Sequence, residues 1–173
     1  AGLGRQNCFK TGFDIKEVFE SFNLSNFGAN PTKFNYSILS SFSQKYLMQL
    51  SFKEIKSELT SLKVFENVQL EFWDMARENI LRRSDLNDLW VLCIEGAEPI
   101  ISTEDKDFIF NCKRLMPPLP RDKNSWSIWT DAIKSETKRS GKNLFLPLRQ
   151  ALTGSDTGPD MKKLFPLMQK IRF

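Results

Sequence analysis

The sequence predicts an all-α fold, and three observations carry that expectation. Apolar residues return every three or four positions through almost every periodic stretch, as one face of a helix requires. No run of strict apolar–polar alternation and no Asn-Gly hairpin signal interrupts them. Start and stop signals bracket the stretches: Ser51 with Glu54 three positions later, Ser84 or Asp85, and Gly96 and Gly141 behind apolar runs. Breaks near Leu50–Ser51 and near Gly96–Pro99 divide the pattern into three helical segments, with no internal repeat or low-complexity tract.

In chain order, "FDIKEVFESF" sets Phe13, Val18, Phe19 and Phe22 on one side of a first helix. "FNYSILSSFSQKYLMQL" repeats Ile38, Phe42, Tyr46 and Leu50 at four-residue spacing. "SFKEIKSELTSL" opens on the Ser51–Glu54 capping box and continues through Phe52, Ile55, Leu59 and Leu62. "VQLEFWDMAREN" and "SDLNDLWVLCI" predict two more helices, the second stopped by Gly96. "STEDKDFIFNCKRLMPPLP" begins with a cap and two acids and is terminated by Pro117, Pro118 and Pro120. "SWSIWTDAIKSETKRSG" places Trp126, Trp129 and Ile133 on one face, with Gly141 as the expected C-terminal stop.

Composition bounds the chemistry. The 173 residues suffice for one large or two small domains, and 15 Phe and four Trp suffice for a real core. No stretch approaches the ~20 apolar residues of a membrane span, and no secretory signal opens the chain. Ala1 directly precedes motif-like sequence, so the chain is expected to start within a longer protein. Cys8, Cys93 and Cys112 form no C-x-x-C pair, which argues against a structural zinc site and for reduced thiols in a cytoplasmic protein. The absence of histidine removes Ser-His-Asp and Cys-His catalysis, histidine metal ligation and the usual general base. Neither a G-x-x-x-x-G-K-[ST] nor a G-x-G-x-x-G phosphate loop is present. The net charge of +4 is uneven: residues 1–100 hold 11 Lys/Arg against 13 Asp/Glu, residues 101–173 hold 14 against 8, and the part from Lys134 onward holds 9 against 3. A basic end on a near-neutral body suits a polyanionic partner, although solvated helix faces are often as basic.

The densest signal is "LFLPLRQALTGSDTGPDMKKLFPL", from Leu144 to Leu167. Leu144, Leu148, Ala151 and Leu152 recur at helical spacing, and Pro147, placed in a first turn, limits that helix to about two turns. Gly154 is then the stop, Pro159 stands where the next helix begins, and Asp160 favours that helix's positive end. One reading is a compact helix–loop–helix whose Gly and Pro serve only the chain's own geometry. The other is a ligand-facing turn. Free N–H groups suit phosphate or base edges, Gly158 allows close approach to the backbone, and Arg149 offers a planar multi-donor contact unless it serves a carboxylate or helix-end carbonyls.

"GKNLFLPLRQALTGSDTGPDMKKLFPLMQK" resembles the C-terminal signature of bacterial glutamyl-tRNA synthetases, a small-large-PLR-x-ALTG-x-x-x-GP-x-L pattern. "FDIKEVFESFNLSNFGANPTKFNYSILSSFSQKYL" resembles the segment that follows the catalytic domain in that family, and "EDKDFIFNCKRLMPPLP" and "WSIWTDAIKSETKRSGK" are most similar to its alphaproteobacterial branch. The resemblance covers essentially the whole chain. It departs from the family in lacking the HIGH-like and KMSKS-like catalytic signatures.

The resemblance therefore implies the C-terminal part of a class I glutamate–tRNA ligase, helical throughout. Residues 1–50 would end the stem-contact region, 51–98 would form a first helical anticodon-binding subdomain and 99–173 a second. ATP and Mg would belong to the full-length enzyme, with no cofactor and no catalysis in this part alone. It further implies that Arg149 and the corner Gly158, Pro159, Asp160 and Met161 meet splayed anticodon bases, which are read on exposed edges and by stacking. Lys134, Lys138, Arg139, Lys142, Lys162 and Lys163 are the corresponding candidates for phosphate contacts. Within "FWDMARENILRRSD", Asn79 aligns with an arginine that reads the third anticodon base in members restricted to glutamate tRNA. Arg77, Arg82 and Arg83 flank that place as alternatives. Asn offers both a donor and an acceptor, so the resemblance points to an enzyme that accepts glutamine tRNA as well. The expected partners are tRNA for glutamate and tRNA for glutamine, with no membrane, and the expected state is a cytoplasmic monomer. The alternative from another class is a stand-alone helical protein-interaction module without RNA binding.

Overall fold

The computed structural model describes residues 36–173, together with Glu20, Phe22 and Asn23. The expected helix through Phe13, Val18 and Phe19 falls outside the described residues, as does Cys8. Among the described residues every regular element is helical. They are α1 (Tyr36–Gln49), α2 (Phe52–Ser61), α3 (Gln69–Ala76), α4 (Asp85–Glu95), α5 (Lys106–Arg114), α6 (Ser125–Thr137), α7 (Lys142–Thr153) and α8 (Met161–Leu164). Short 3-10 turns at Glu66–Val68 and Thr103–Asp105 lead into α3 and α5, and one at Phe165–Leu167 follows α8.

The N-terminal helices form for reasons largely local to them. On α1 the four-residue repeat outruns the helix, because each step of four overshoots the 3.6-residue turn by about 40°. Tyr46 is exposed, and Leu47 is buried in its place, with Leu50 following past the helix end. α2 has the expected capping box: the Glu54 carboxylate accepts from the Ser51 backbone N–H at 2.8 Å and from its hydroxyl at 2.6 Å. These two donors hold the Glu54 carboxyl below the ordinary carboxylate range. Ile55 and Leu59 are buried on the inner face, with Phe52 and Leu62 packed beside them. At the head of α3, Gln69 is a buried polar residue whose amide donates to the Val64 carbonyl at 3.1 Å and to Thr60 at 3.3 Å. The turn before α4 is held by Asp85, whose Oδ2 accepts from the N–H groups of Leu81 and Arg82, both at 2.9 Å. Ser84 makes no side-chain cap.

Three expectations about the C-terminal helices are corrected. α6 does not run to Gly141. It closes at Lys138, which takes a left-handed conformation (φ 56) as its N–H bonds to the Lys134 carbonyl at 2.9 Å. The chain turns there because α7 returns to pack against α5, and Gly141 becomes the lead-in to α7. Nor is α7 limited to two turns by Pro147. It spans 12 residues with Pro147 inside it, about 18 Å at the helical rise. Proline removes the N–H that would have bonded to the carbonyl four residues earlier, that of Asn143. Arg139 Nη1 donates to that carbonyl at 3.4 Å, so the helix continues through the proline. α8 begins two residues later than expected, at Met161: Asp160 is its cap and Pro159 precedes the cap.

One hydrophobic core runs from Leu47 to Met168. Its N-terminal part centres on Phe72, Trp73 and Trp90. Phe72 and Phe65 meet Trp90 edge-on at 5.3 Å each, and the Trp73 indole donates to the Leu50 carbonyl at 3.3 Å. Its C-terminal part centres on Phe165, stacked on Trp129 at 4.9 Å and edge-on to Trp126 at 5.5 Å. The Trp129 indole donates to the Cys112 carbonyl at 2.9 Å, tying α6 to α5. The chain end returns to α4 through Gln169 N–H to the Cys93 carbonyl at 2.7 Å and Arg172 Nε to the Glu95 carbonyl at 2.8 Å. Cys93 and Cys112 are free and buried, and burial pushes both thiols up to about 12, so they stay protonated core residues.

Gly154 closes α7 in a left-handed conformation (φ 64), and a Cβ built there would lie 2.7 Å from the Glu98 backbone carbonyl. The approach is so close because the Ile100 N–H bonds to the Gln150 carbonyl at 3.1 Å, binding the linker to the end of α7. Gly154→Ala adds both a disfavoured backbone and a backbone clash, and is expected to destabilise the fold by roughly 1–3 kcal/mol. A urea titration with the wild-type midpoint would contradict this account of the linker.

Candidate nucleic-acid interface

The corner singled out by the sequence is a pinned turn. Arg149, half-buried on α7, donates from Nη1 to the Pro159 carbonyl at 2.9 Å and so bridges the end of α7 to the start of α8. Its partner is the carbonyl just before the α8 cap, and not the carboxylate or helix-end carbonyl expected. The bond leaves the other guanidinium donors without a protein partner among the described residues. Gly158 is exposed with φ 134, and a Cβ there would face Arg149 Nη1 at 3.6 Å, an ordinary contact. Its glycine is thus required by backbone conformation rather than by crowding. Asp160 caps α8 by accepting from the Lys162 N–H at 2.9 Å. Pro159 and Met161 are buried, so what they present outward is the shape of the backbone. On the rim of the corner, Gln150 donates to Asp156 at 2.7 Å and the Thr153 hydroxyl donates to the Arg149 carbonyl at 2.8 Å.

Asn79 lies just past the end of α3, exposed, with its amide nitrogen donating to the Met75 carbonyl at 2.8 Å. Its side-chain oxygen makes no bond to a described residue. α3 packs against α8, and Lys163 reaches Glu78 at 2.8 Å. The structure therefore brings the Asn79 turn and the Gly158–Met161 corner to one side of the molecule. Glu78 had no signal in the sequence, because its partner stands 85 positions away.

The six cationic candidates divide into two sets. Lys134 is paired with Asp131 at 2.8 Å, Arg139 with Asp105 at 2.5 Å, and Lys163 with Glu78. Lys138, Lys142 and Lys162 are exposed and have no carboxylate partner among the described residues. Arg77 pairs with Asp74 and Arg83 with Glu58, which leaves Arg82 as the unpaired arginine flanking Asn79.

Arg139 joins three elements at once. Its guanidinium meets Asp105, the Asn143 carbonyl and the face of Phe108, 4.1 Å from the ring centroid. Among the described residues no group of three or more His, Cys, Asp or Glu side chains is placed to hold a metal ion. No helix among them is long and apolar enough to cross a membrane.

No family model matches the chain. Its curated relatives are tRNA ligases. It is 43% identical over 172 residues to glutamate–tRNA ligase 2 of Ruegeria sp. (strain TM1040), covering 99% of this chain and 39% of that protein. To glutamate–tRNA ligase 1 of Ruegeria pomeroyi it is 42% identical over the same shares. To glutamate–tRNA ligase 2 of Cereibacter sphaeroides (strain ATCC 17029) it is 43% identical over 157 residues, 91% of this chain and 36% of that one. The chain is thus an all-α homologue of aminoacyl-tRNA synthetases. Specifically, it is homologous along nearly its whole length to alphaproteobacterial glutamate–tRNA ligases, and it spans about two fifths of the length of those relatives.

Hydrogen bonds from Arg139, then from Ser102, hold the Asp105 carboxyl below the usual carboxylate range. A lowered folded value adds stability that is present above the unfolded value near ~3.9 and is lost as pH falls through the folded one. Asp105→Asn is expected to flatten the acid limb of stability between about pH 4 and pH 2. Denaturant midpoints that fall in parallel for wild type and variant over that range would contradict it.

Proposed function

We propose that this chain is the C-terminal, tRNA-holding part of a glutamate–tRNA ligase, which in its full-length form attaches glutamate to tRNA with ATP and Mg. The observation that carries the reading is the 43% identity to such a ligase over 99% of the chain. The absence of histidine and of phosphate loops agrees with a part that holds RNA while the chemistry occurs elsewhere. Residues 1–50, 51–98 and 99–173 are its stem-contact end and two anticodon-binding subdomains.

In this reading the Arg149-pinned corner meets the anticodon. Gly158 and Asp160 lie on the surface, Pro159 and Met161 fix the turn from inside, and the uncommitted Arg149 donors face the base edges. Asn79 reads the third anticodon base, its side-chain oxygen accepting from the amino group of cytosine or of guanine. The full-length enzyme then acts on glutamate and glutamine tRNAs alike, as a monomer in the cytoplasm.

Filter binding of the chain to glutamate tRNA tests the first part. Affinity should fall steeply with salt through counterion release, and no binding at low salt would return the chain to a protein-interaction module. Arg149→Ala should weaken binding by roughly 1–3 kcal/mol, and a folded variant of unchanged affinity would remove Arg149 from the reading site. For the full-length enzyme, aminoacylation of both tRNAs is expected. Charging of glutamate tRNA alone would sink the role given to Asn79.

A further inference from the structure

One peptide unit, between Met168 and Gln169, fastens the N-terminal and C-terminal parts of the core to each other. Its carbonyl accepts from Arg121 Nη1 at 2.9 Å, and its N–H donates to the Cys93 carbonyl at 2.7 Å. Arg121 leads into α6 and Cys93 belongs to α4, so the unit relays a hydrogen bond between the two parts. Met168 and Cys93 are fully buried. In such a setting each bond is directional, and losing it leaves a polar group without water.

Arg121 is half-buried and meets no carboxylate among the described residues. Nε donates to the Pro117 carbonyl at 3.2 Å and Nη2 reaches the Met116 sulfur at 3.3 Å, so all three nitrogens are engaged within the fold. From the relay, residues 169–172 continue along the linker, residues 96–100. Arg172 Nε donates to the Glu95 carbonyl at 2.8 Å, and its Nη atoms lie 3.8 Å from the carboxylates of Glu95 and Glu98. The Cys93 and Glu95 carbonyls are among the last four of α4, which lack partners in their own helix. Gln169 and Arg172 supply those two donors. The fit is close: Gly96 takes φ 70, and a Cβ there would lie 2.9 Å from the Lys170 carbonyl oxygen. The end of α7 holds the linker's other side.

We infer that Arg121 and Arg172 are positioning residues for RNA binding, which through this clamp keep the Asn79 turn and the Arg149 corner at one spacing without touching RNA themselves. The inference rests on the tRNA-holding reading and deepens it. Apolar packing of α3 on α8 brings the two places together, but such packing is non-directional, and the Lys163–Glu78 pair above it is exposed. The directional bonds of the clamp keep that seam from sliding. Two contacts held at a fixed spacing bind as one bivalent site, and a loosened connection lowers the effective concentration of the second.

The test is a double-mutant cycle read by filter binding to glutamate tRNA at low salt, with a urea titration of every variant. Arg172→Ala removes the exposed end of the clamp. Arg121→Lys keeps the charge but lacks the planar fork that reaches Pro117 and Met168 together. Each should lower affinity by about tenfold in the otherwise unchanged chain, and by less than about twofold in the Arg149→Ala chain, where the second contact is already gone. Equal losses in both backgrounds overturn the inference, because plain destabilisation weakens binding whatever the number of contacts. Unchanged affinity of folded Arg172→Ala, while wild type binds and Arg149→Ala weakens binding, overturns the clamp and leaves the tRNA-holding reading intact. A wild-type chain that binds no tRNA overturns both. Where urea shows Arg121→Lys unfolded, Arg172→Ala decides alone.

Discussion

The seating of Phe165 is the constraint on which the C-terminal half depends. Its ring lies nearly parallel to Trp129, with 7° between the planes. The Arg121 guanidinium covers it at 4.7 Å and donates to the Met168 carbonyl at 2.9 Å. An aromatic stacked on Trp129 and covered by Arg121 holds the turn that follows α8 against α6. α8 has only four residues and would not persist alone. Its position, and with it the Gly158–Met161 corner, is therefore inherited from the Trp129–Phe165 stack and from packing on α3.

The polar features follow the same logic of compensation. Pro147 opens the hydrogen-bond ladder of α7, and Arg139 closes it from outside while Asp105 and Phe108 balance its charge. Arg149 bridges the two ends of a turn that Gly158 alone would leave loose. In each case an arginine donates to a backbone carbonyl that no helix satisfies. Lys138, Lys142 and Lys162, by contrast, stay at the surface as point charges with no carboxylate partner among the described residues.

The corner and the Asn79 turn come from separate places in the chain. α3 joins them by packing on α8, and the Lys163–Glu78 pair spans their seam. An exposed pair of this kind contributes only about 0.2–1 kcal/mol, so the apolar packing beneath it sets the geometry.

Periodicity alone determined that the chain is helical, and spacing alone located Ile55, Leu59, Trp126, Trp129 and Ile133 in the core. Those signals are legible because they are local: a helix face, a capping box and a glycine stop each lie within a few residues. The sequence also marked Arg149 and Gly158, through a motif, but not which of them holds and which faces outward. Tertiary structure decided that α7 runs through Pro147, that Lys138 rather than Gly141 ends α6, and that Pro159 and Met161 turn inward. Each of those outcomes depends on partners far along the chain. Arg139 finds Asp105 across 34 positions, Lys163 finds Glu78 across 85, and Arg121 finds Met168 across 47. No local pattern encodes such pairings, because they exist only once the core has brought the elements together.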